Sequence, residues 1–142
     1  MKAFLIAAAL APALALGSAA AQQSVRTGPT APELAPGRQV YAQWCAPCHA
    51  AGPRLAGTMS LQAKYQGEVP AALEDRTDLS APVIAHFVRN GVAWMPPFRR
   101  TEISDADLAA LSAYLTAPLE RRGAHAPLLA DEMAVLPQGG RP

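Results

Sequence analysis

The chain has 142 residues, and Lys plus Arg total 12 against 11 Asp plus Glu, a formal net charge of +1. That near-neutral balance excludes nucleic acid as the main partner, which needs a basic face for phosphates, and gives no polybasic patch for a membrane surface. Two cysteines are too few for a disulfide-stapled scaffold, and the 51% hydrophobic content is raised by alanine and an apolar N-terminus.

Met1-Lys2 supplies a short positive end, and Ala3 to Leu16 is an apolar run too short for a comfortable bilayer span. Ala19-Ala20-Ala21 follows and fits the small-x-small cleavage rule. Residues 1–21 therefore read as a signal peptide. The mature protein is expected to be exported, as to a periplasm, with no membrane span. Losing Lys2 with the leader leaves basic and acidic side chains in balance. Residues 22–35 are polar, carry Gly28, Pro29 and Pro32, show no periodicity, and read as a flexible lead-in.

Three helical segments follow in a domain over 36–117. Gly37 to about Cys45 comes after Pro36 and spaces Val40, Tyr41 and Trp44 helically. Residues 50–79 are rich in Gly and Pro. They read as a long loop with a short helix around Ser60 to Tyr65, and a loop of that length needs something to pack around. Ser80 to Asn90 opens on an N-cap candidate with Pro82 in its first turn and places Val83, Ile84, Phe87 and Val88 on one face. Gly91 stops it. Ser104 to about Ala117 opens Ser-Asp-Ala-Asp, which suits both a cap and the positive end of the helix dipole. Leu108, Leu111, Tyr114 and Leu115 form its apolar stripe. Residues 118–142 carry Pro118, Gly123, Pro127, Pro137, Gly139 and Gly140, and read as a Pro/Gly-rich tail. No segment alternates as a strand does, so the fold class is all-α.

Cys45-Ala46-Pro47-Cys48-His49 is the most specific signal in the chain. C-x-x-C-H is the attachment pattern of a c-type haem. Thiols three positions apart can form thioethers to the two vinyl groups on one porphyrin edge, and the adjacent imidazole can then ligate iron. The tether holds His49 and iron at high local concentration. Three other readings are weaker. A thioredoxin-like pair needs a strand–helix context that is absent here. A structural zinc site wants four ligands, and only Cys45, Cys48 and His49, His86 and His125 are on hand. A local disulfide would suit an oxidising compartment, but the leader and the helical pattern together favour haem.

The sixth iron position has six candidates: Met59, Met95, Met133, His86, His125 and Lys64. Met59 follows His49 too closely, Met133 and His125 lie in the tail, His86 falls near the apolar face of its helix, where a satisfied or exposed histidine is the commoner outcome, and Lys64 suits solvent. Met95 stands between two helices in Gly91-Val92-Ala93-Trp94-Met95-Pro96-Pro97-Phe98, where two prolines stiffen the chain beside it. His/Met is a known haem ligation class. Soft, uncharged thioether sulfur favours Fe(II) and raises the reduction potential. Leu55, Ile84, Phe87, Trp94, Leu111 and Leu115 are expected to enclose the ring and act in the same direction. With six ligands filled, the expected product is a one-electron carrier. A haem sensor with an open sixth position is the alternative.

Together, Gly37-x-x-x-Tyr41, Cys45-x-x-Cys48-His49, Met95-Pro96-x-Phe98 and Leu111-x-x-Tyr114-Leu115 resemble class I c-type cytochromes over about residues 36–116. The resemblance implies a cytochrome c-like fold of three main helices and long loops around one covalent haem c. It implies that the first and last helices cross at Gly37 and Tyr41 against Leu111 and Tyr114, with His49 proximal and Met95 distal. In that family a carbonyl on a proline-containing loop accepts the proton of the proximal imidazole, and Gly52-Pro53-Arg54-Leu55 is the nearest such loop here. Gly57-Thr58, Leu61, Lys64-Tyr65-x-Gly67, Arg76-Thr77-Asp78-Leu79 and Phe98-Arg99-Arg100-Thr101-Glu102 are further similar to the cytochrome subunit of p-cresol methylhydroxylase-type flavocytochromes. That likeness implies a flavoprotein dehydrogenase as partner, and Tyr65 with a nearby arginine on a haem propionate.

The function expected is electron transfer between redox proteins, with no catalytic residues. Electrons are expected to cross at an edge near Ala46, Pro47, Trp94, Pro96 and Pro97, with Arg99 and Arg100 steering an acidic partner.

Overall fold

The computed structural model describes Arg26 and residues 28–126. The leader, residues 22–25 and 27 of the lead-in, and residues 127–142, including Met133, lie outside the described residues. Among the described residues six helices occur in chain order: α1 (Ala35–Trp44), α2 (Ala46–His49), α3 (Ala56–Tyr65), α4 (Ala81–Asn90), α5 (Asp105–Thr116) and α6 (Leu119–Arg122). Short 3₁₀ turns precede α1 (Pro32–Leu34) and sit between α3 and α4 (Leu73–Asp75). The described residues contain no strand beyond one isolated bridge between Val92 and Met95, so the fold is all-α, as expected.

Local signals explain the long helices. Ser104 caps α5 through a reciprocal box: its hydroxyl accepts from the Asp107 N–H at 3.0 Å, and the Asp107 carboxylate accepts from the Ser104 N–H at 3.2 Å. Two otherwise orphaned donors are satisfied in this way. Ser80 occupies the N-cap position of α4 but makes no side-chain cap bond, and Pro82 removes one orphan N–H there instead. Gly91 ends α4 with φ +68°, a conformation open to glycine at little cost.

α1 and α5 cross at the centre of the core. A β-carbon built on Gly37 would collide with the Ala110 carbonyl and come within 2.7 Å of Tyr114 Cβ, so only glycine permits this approach. Tyr41 and Tyr114 are fully buried beside it, with ring centroids 6.0 Å apart. The crossing implied for these positions is present. Leu34, Ile84, Val88, Ile103, Leu108, Leu111 and Leu115 complete the buried cluster.

Two regions differ from expectation. α3 starts at Ala56 instead of near Ser60, and none of its residues is fully buried, so it left no apolar periodicity to read. The second region is the start of the assigned tail. Residues 118–126 pack onto the body: Arg122 is 1% exposed and donates to the carbonyls of Ala117 (2.7 Å), Glu74 (2.9 Å) and Arg76 (2.9 Å). Ala126 N–H donates to the fully buried Glu74 carboxylate at 3.0 Å, and the Tyr114 hydroxyl donates to the same group. From the assigned lead-in, Ala31 N–H bonds the Arg121 carbonyl, and the Gly28 carbonyl accepts from Ala124 N–H. Backbone and side-chain hydrogen bonds join residues 28–31 to 121–126, and Leu34 enters the apolar core, long-range contacts that a composition reading does not register.

Candidate functional site

The Cys45–His49 pentapeptide is helical. Cys45 closes α1, donating its N–H to the Tyr41 carbonyl at 2.9 Å, and its own carbonyl accepts from Cys48 N–H (3.1 Å) and His49 N–H (2.8 Å). Residues three and four apart share one helix face. The turn therefore sets Cys48 and His49 on the side of Cys45. The two thiols are free, Cys45 buried and Cys48 exposed. Among the described residues no three His, Cys, Asp or Glu side chains gather as a metal cage.

Burial sets the electrostatics here. It pushes the Cys45 thiol up to about 12, with Cys48 and then Glu74 adding to the shift, so this sulfur is a neutral thiol and not a thiolate. Burial also lowers the His49 pKa, which keeps the ring in the neutral form that ligates metals. His49 Nδ1 is buried and has no hydrogen-bond partner among the described residues. The carbonyl expected from the Gly52–Leu55 loop is thus not bonded to it. That loop takes positive φ at Gly52 and Arg54, and Pro53 and Arg54 are exposed. The first turn of α3 lies against the ring instead: a β-carbon on Gly57 would fall 2.6 Å from Nδ1. Sequence reasoning placed Gly57 and Thr58 in a family likeness without seeing this contact.

Met95 ends a tight turn. Val92 N–H bonds the Met95 carbonyl at 3.0 Å, and Met95 N–H bonds the Val92 carbonyl at 2.8 Å. Gly91 lies under the loop, where a β-carbon would come 2.9 Å from the Pro97 nitrogen. Phe98 N–H ties the exit to the Val88 carbonyl at 2.8 Å, and the Phe98 ring meets Trp44 edge-on at 5.9 Å. Met95 itself is half-buried, anchored to both α4 and α1 by these neighbours.

Some expected neighbours stand elsewhere. Trp94 is 98% exposed, because the turn throws it outward, so it encloses nothing within the protein. Phe87 is also exposed, while Ile84, Leu111 and Leu115 are buried as expected. Ala46 is fully buried under the α1–α2 junction and cannot belong to a surface edge; Pro47, Pro96 and Pro97 are exposed. Met59 is exposed on α3, and a cleft of about 590 Å³ lies between it, Gly52-Pro53 and the buried Ala71-Ala72. His86 is exposed, its ring edge-on to Phe87.

Tyr65 closes α3, half-buried, with the Arg76 guanidinium 4.8 Å and Lys64 Nζ 4.9 Å from its ring centroid. Arg76 is held in place by a forked ion pair to Asp78, Nε to Oδ1 at 2.9 Å and Nη2 to Oδ2. The Arg76 partner holds the Asp78 carboxyl below the usual carboxylate range.

A covalently attached porphyrin fits this arrangement. Two free thiols and an imidazole occupy one helical turn, His49 Nδ1 is buried without a partner among the described residues, and exposed apolar side chains (Met59, Val83, Phe87, Val92) lie on α3, α4 and the Met95 turn. No helix among the described residues is long and apolar enough to cross a membrane.

Comparison with known proteins gives matching results. A family model described as "Cytochrome C oxidase, cbb3-type, subunit III" matches residues 32–115. Among curated relatives, cytochrome c6 of Picosynechococcus sp. is 36% identical over 86 residues, covering 60% of this chain and 73% of the relative. No solved structure matches the chain.

Proposed function

The chain belongs to the c-type cytochromes, haem-based electron carriers that bind covalent haem c, and from that premise we propose that it works outside the cytoplasm as a monohaem one-electron carrier with His/Met ligation. The observation that carries this reading is the single helical turn bearing two free thiols and a half-buried imidazole whose Nδ1 is out of contact with solvent. Cys45 and Cys48 are the thioether donors, His49 the proximal ligand and Met95 the distal one. When bound, haem c supplies a one-electron Fe(III)/Fe(II) couple.

The protein's own part is to hold, enclose and present. The turn Val92–Met95, tied to α4 and stiffened by Pro96 and Pro97, holds a soft sulfur that favours the reduced state. Tyr65, with Arg76 beside it, is the proposed contact for a propionate: the phenol donates, and the guanidinium supplies charge. Pro47, Trp94, Pro96 and Pro97 form the exposed face for electron exchange. Arg99 and Arg100 border it, each ion-paired, to Glu102 and Asp105 respectively, so steering of an acidic partner is modest.

A stable complex with a flavoprotein dehydrogenase is a second reading, and the exposed Trp94 favours it, because tryptophans are common anchors of protein interfaces. Co-purification of a larger flavoprotein from the native host supports that version, and elution of the small protein alone counts against it.

The test is the optical spectrum of the protein matured in a host that attaches c-type haem, taken oxidised, reduced and with CO. A c-type spectrum, an Fe(III)–thioether charge-transfer band and slow or absent CO binding are expected. A colourless product of unmodified polypeptide mass overturns the reading, and rapid CO binding removes the distal ligand from it. N-terminal sequencing of the same sample should begin near Gln22; a start at Met1 overturns export by cleavage.

A further inference from the structure

Charged side chains from segments far apart in the sequence converge on α1. Arg26 and the Arg122–His125 stretch lie outside residues 32–115, the span that the family model matches. They meet Asp75 in a chain of contacts. Arg26 Nη2 stands 3.7 Å from Asp75 Oδ1, the same oxygen is 2.7 Å from His125 Nε2, and the His125 carbonyl accepts from Arg38 Nη2 at 3.1 Å. Tyr41 follows Arg38 by three positions on α1, so the two side chains share a face. Burial, and then charges that include Glu74 and Asp75, pushes the Tyr41 phenol up.

Donors outnumber acceptors here. The Arg26 side chain is only 8% exposed, yet its Nε, Nη1 and Nη2 have no hydrogen-bond partner among the described residues, since 3.7 Å is beyond bonding range. Arg38 Nε and the Tyr41 hydroxyl are likewise buried and unpartnered among them, against one such acceptor, Asp75 Oδ2. A guanidinium carries five N–H donors, more than one carboxylate oxygen can receive. Charge is out of balance in the same sense. Arg26, Arg38 and Arg122 face two carboxylates, Glu74 and Asp75, which leaves one positive charge in excess; Arg76 and Arg121 are paired elsewhere, with Asp78 and Glu33. Burial, and then the Arg26 charge, lowers the Arg122 pKa, as neighbouring cations do to one another. A buried charge without a partner is costly.

We infer that Arg26, Arg38 and Tyr41 bind one small monoanion of halide size, such as chloride. A single negative charge restores the balance, and a spherical ion accepts from N–H and O–H groups converging from several directions. The donors are cut off from solvent, which excludes a bulky oxyanion. His125, whose side chain is 29% exposed, stands at the rim and gives the way in. The site holds Arg26 and the chain's far end against α1, and it stands apart from the reading of His49 and Met95 as iron ligands.

The experiment follows thermal unfolding of the haem-loaded protein in mixtures of sodium chloride and sodium gluconate at one fixed ionic strength, gluconate being too large for the enclosed donors. The wild-type midpoint should rise by roughly 5 °C per tenfold chloride above the dissociation constant, and Arg26→Gln should lose that rise. Crystals soaked in bromide should show an anomalous peak in contact with Arg26 and Arg38. A wild-type midpoint indifferent to chloride overturns the proposal, and so does a rise retained in Arg26→Gln. If Arg26→Gln fails to accumulate, the bromide-soaked crystal decides: a water at these donors, or a carboxylate of the chain's own Asp131 or Glu132, overturns it.

Discussion

Gly37 and Ala110 meet backbone to backbone, with no space for a β-carbon between them. This contact fixes the distance between α1 and α5, and with it the overlap of Tyr41 on Tyr114 and the position of the α1–α2 junction that carries Cys45. Gly37→Ala should destabilise the protein by about 1–3 kcal/mol, as overpacking does. That loss outweighs the gain of up to about 1 kcal/mol that alanine brings to a free helix, because a helical carbonyl cannot swing aside as a flexible side chain can. Urea unfolding of the haem-loaded variant checks it; equal or greater stability would mean the helices slide apart freely.

Met95→Ala should leave haem attachment intact and open the sixth position. Expected are loss of the Fe(III)–thioether band, fast CO binding by the reduced form, and a lower midpoint potential as the soft ligand is removed. An unchanged band would transfer the ligand role to another side chain, with exposed Met59 the first to test.

Trp94→Ala should barely alter stability, within about 0.5 kcal/mol, since the side chain touches almost nothing in its own chain. Its effect should fall on electron exchange with a partner, with a loss of roughly tenfold or more in affinity if it anchors the contact. Arg99→Glu also breaks the bond to Glu102 and should slow exchange at low ionic strength, with the difference fading as salt rises. Stopped-flow rates across a salt series measure both, and rates identical to wild type in both variants would remove this face from the electron path.

Asp78→Asn tests the Arg76 fork. The Asp78 carboxyl is held below its ordinary range by the hydrogen bond from Arg76. A depressed carboxyl stabilises the fold above its unfolded value, about 4, and that contribution disappears as the pH falls through the lower folded value. The Asp78 side chain is nearly half exposed, so solvent screening keeps the effect under about 1 kcal/mol at neutral pH. The gap between variant and wild type should therefore close as the pH falls below about 4. A gap that persists in acid would assign the effect to packing.

The sequence alone carried the Cys45–His49 pentapeptide and, to within two residues, the limits of α1, α4 and α5. These are local features. A cap such as Ser104, a stop such as Gly91 and an apolar stripe such as Leu108–Leu115 act through neighbours three or four residues away, so they are written in the order of residues. Only the tertiary structure decided the rest. Arg122 and Glu74 look like surface charges in the chain and are buried, because carbonyls, a tyrosine hydroxyl and a backbone N–H from distant segments converge on them. Trp94 looks like core and is exposed, because a two-bond turn reverses the chain beneath it. The contact of Gly57 with His49 belongs to the same class: no spacing rule brings α3 onto α2, since their approach is set by how the whole chain packs and not by any residue's own preference.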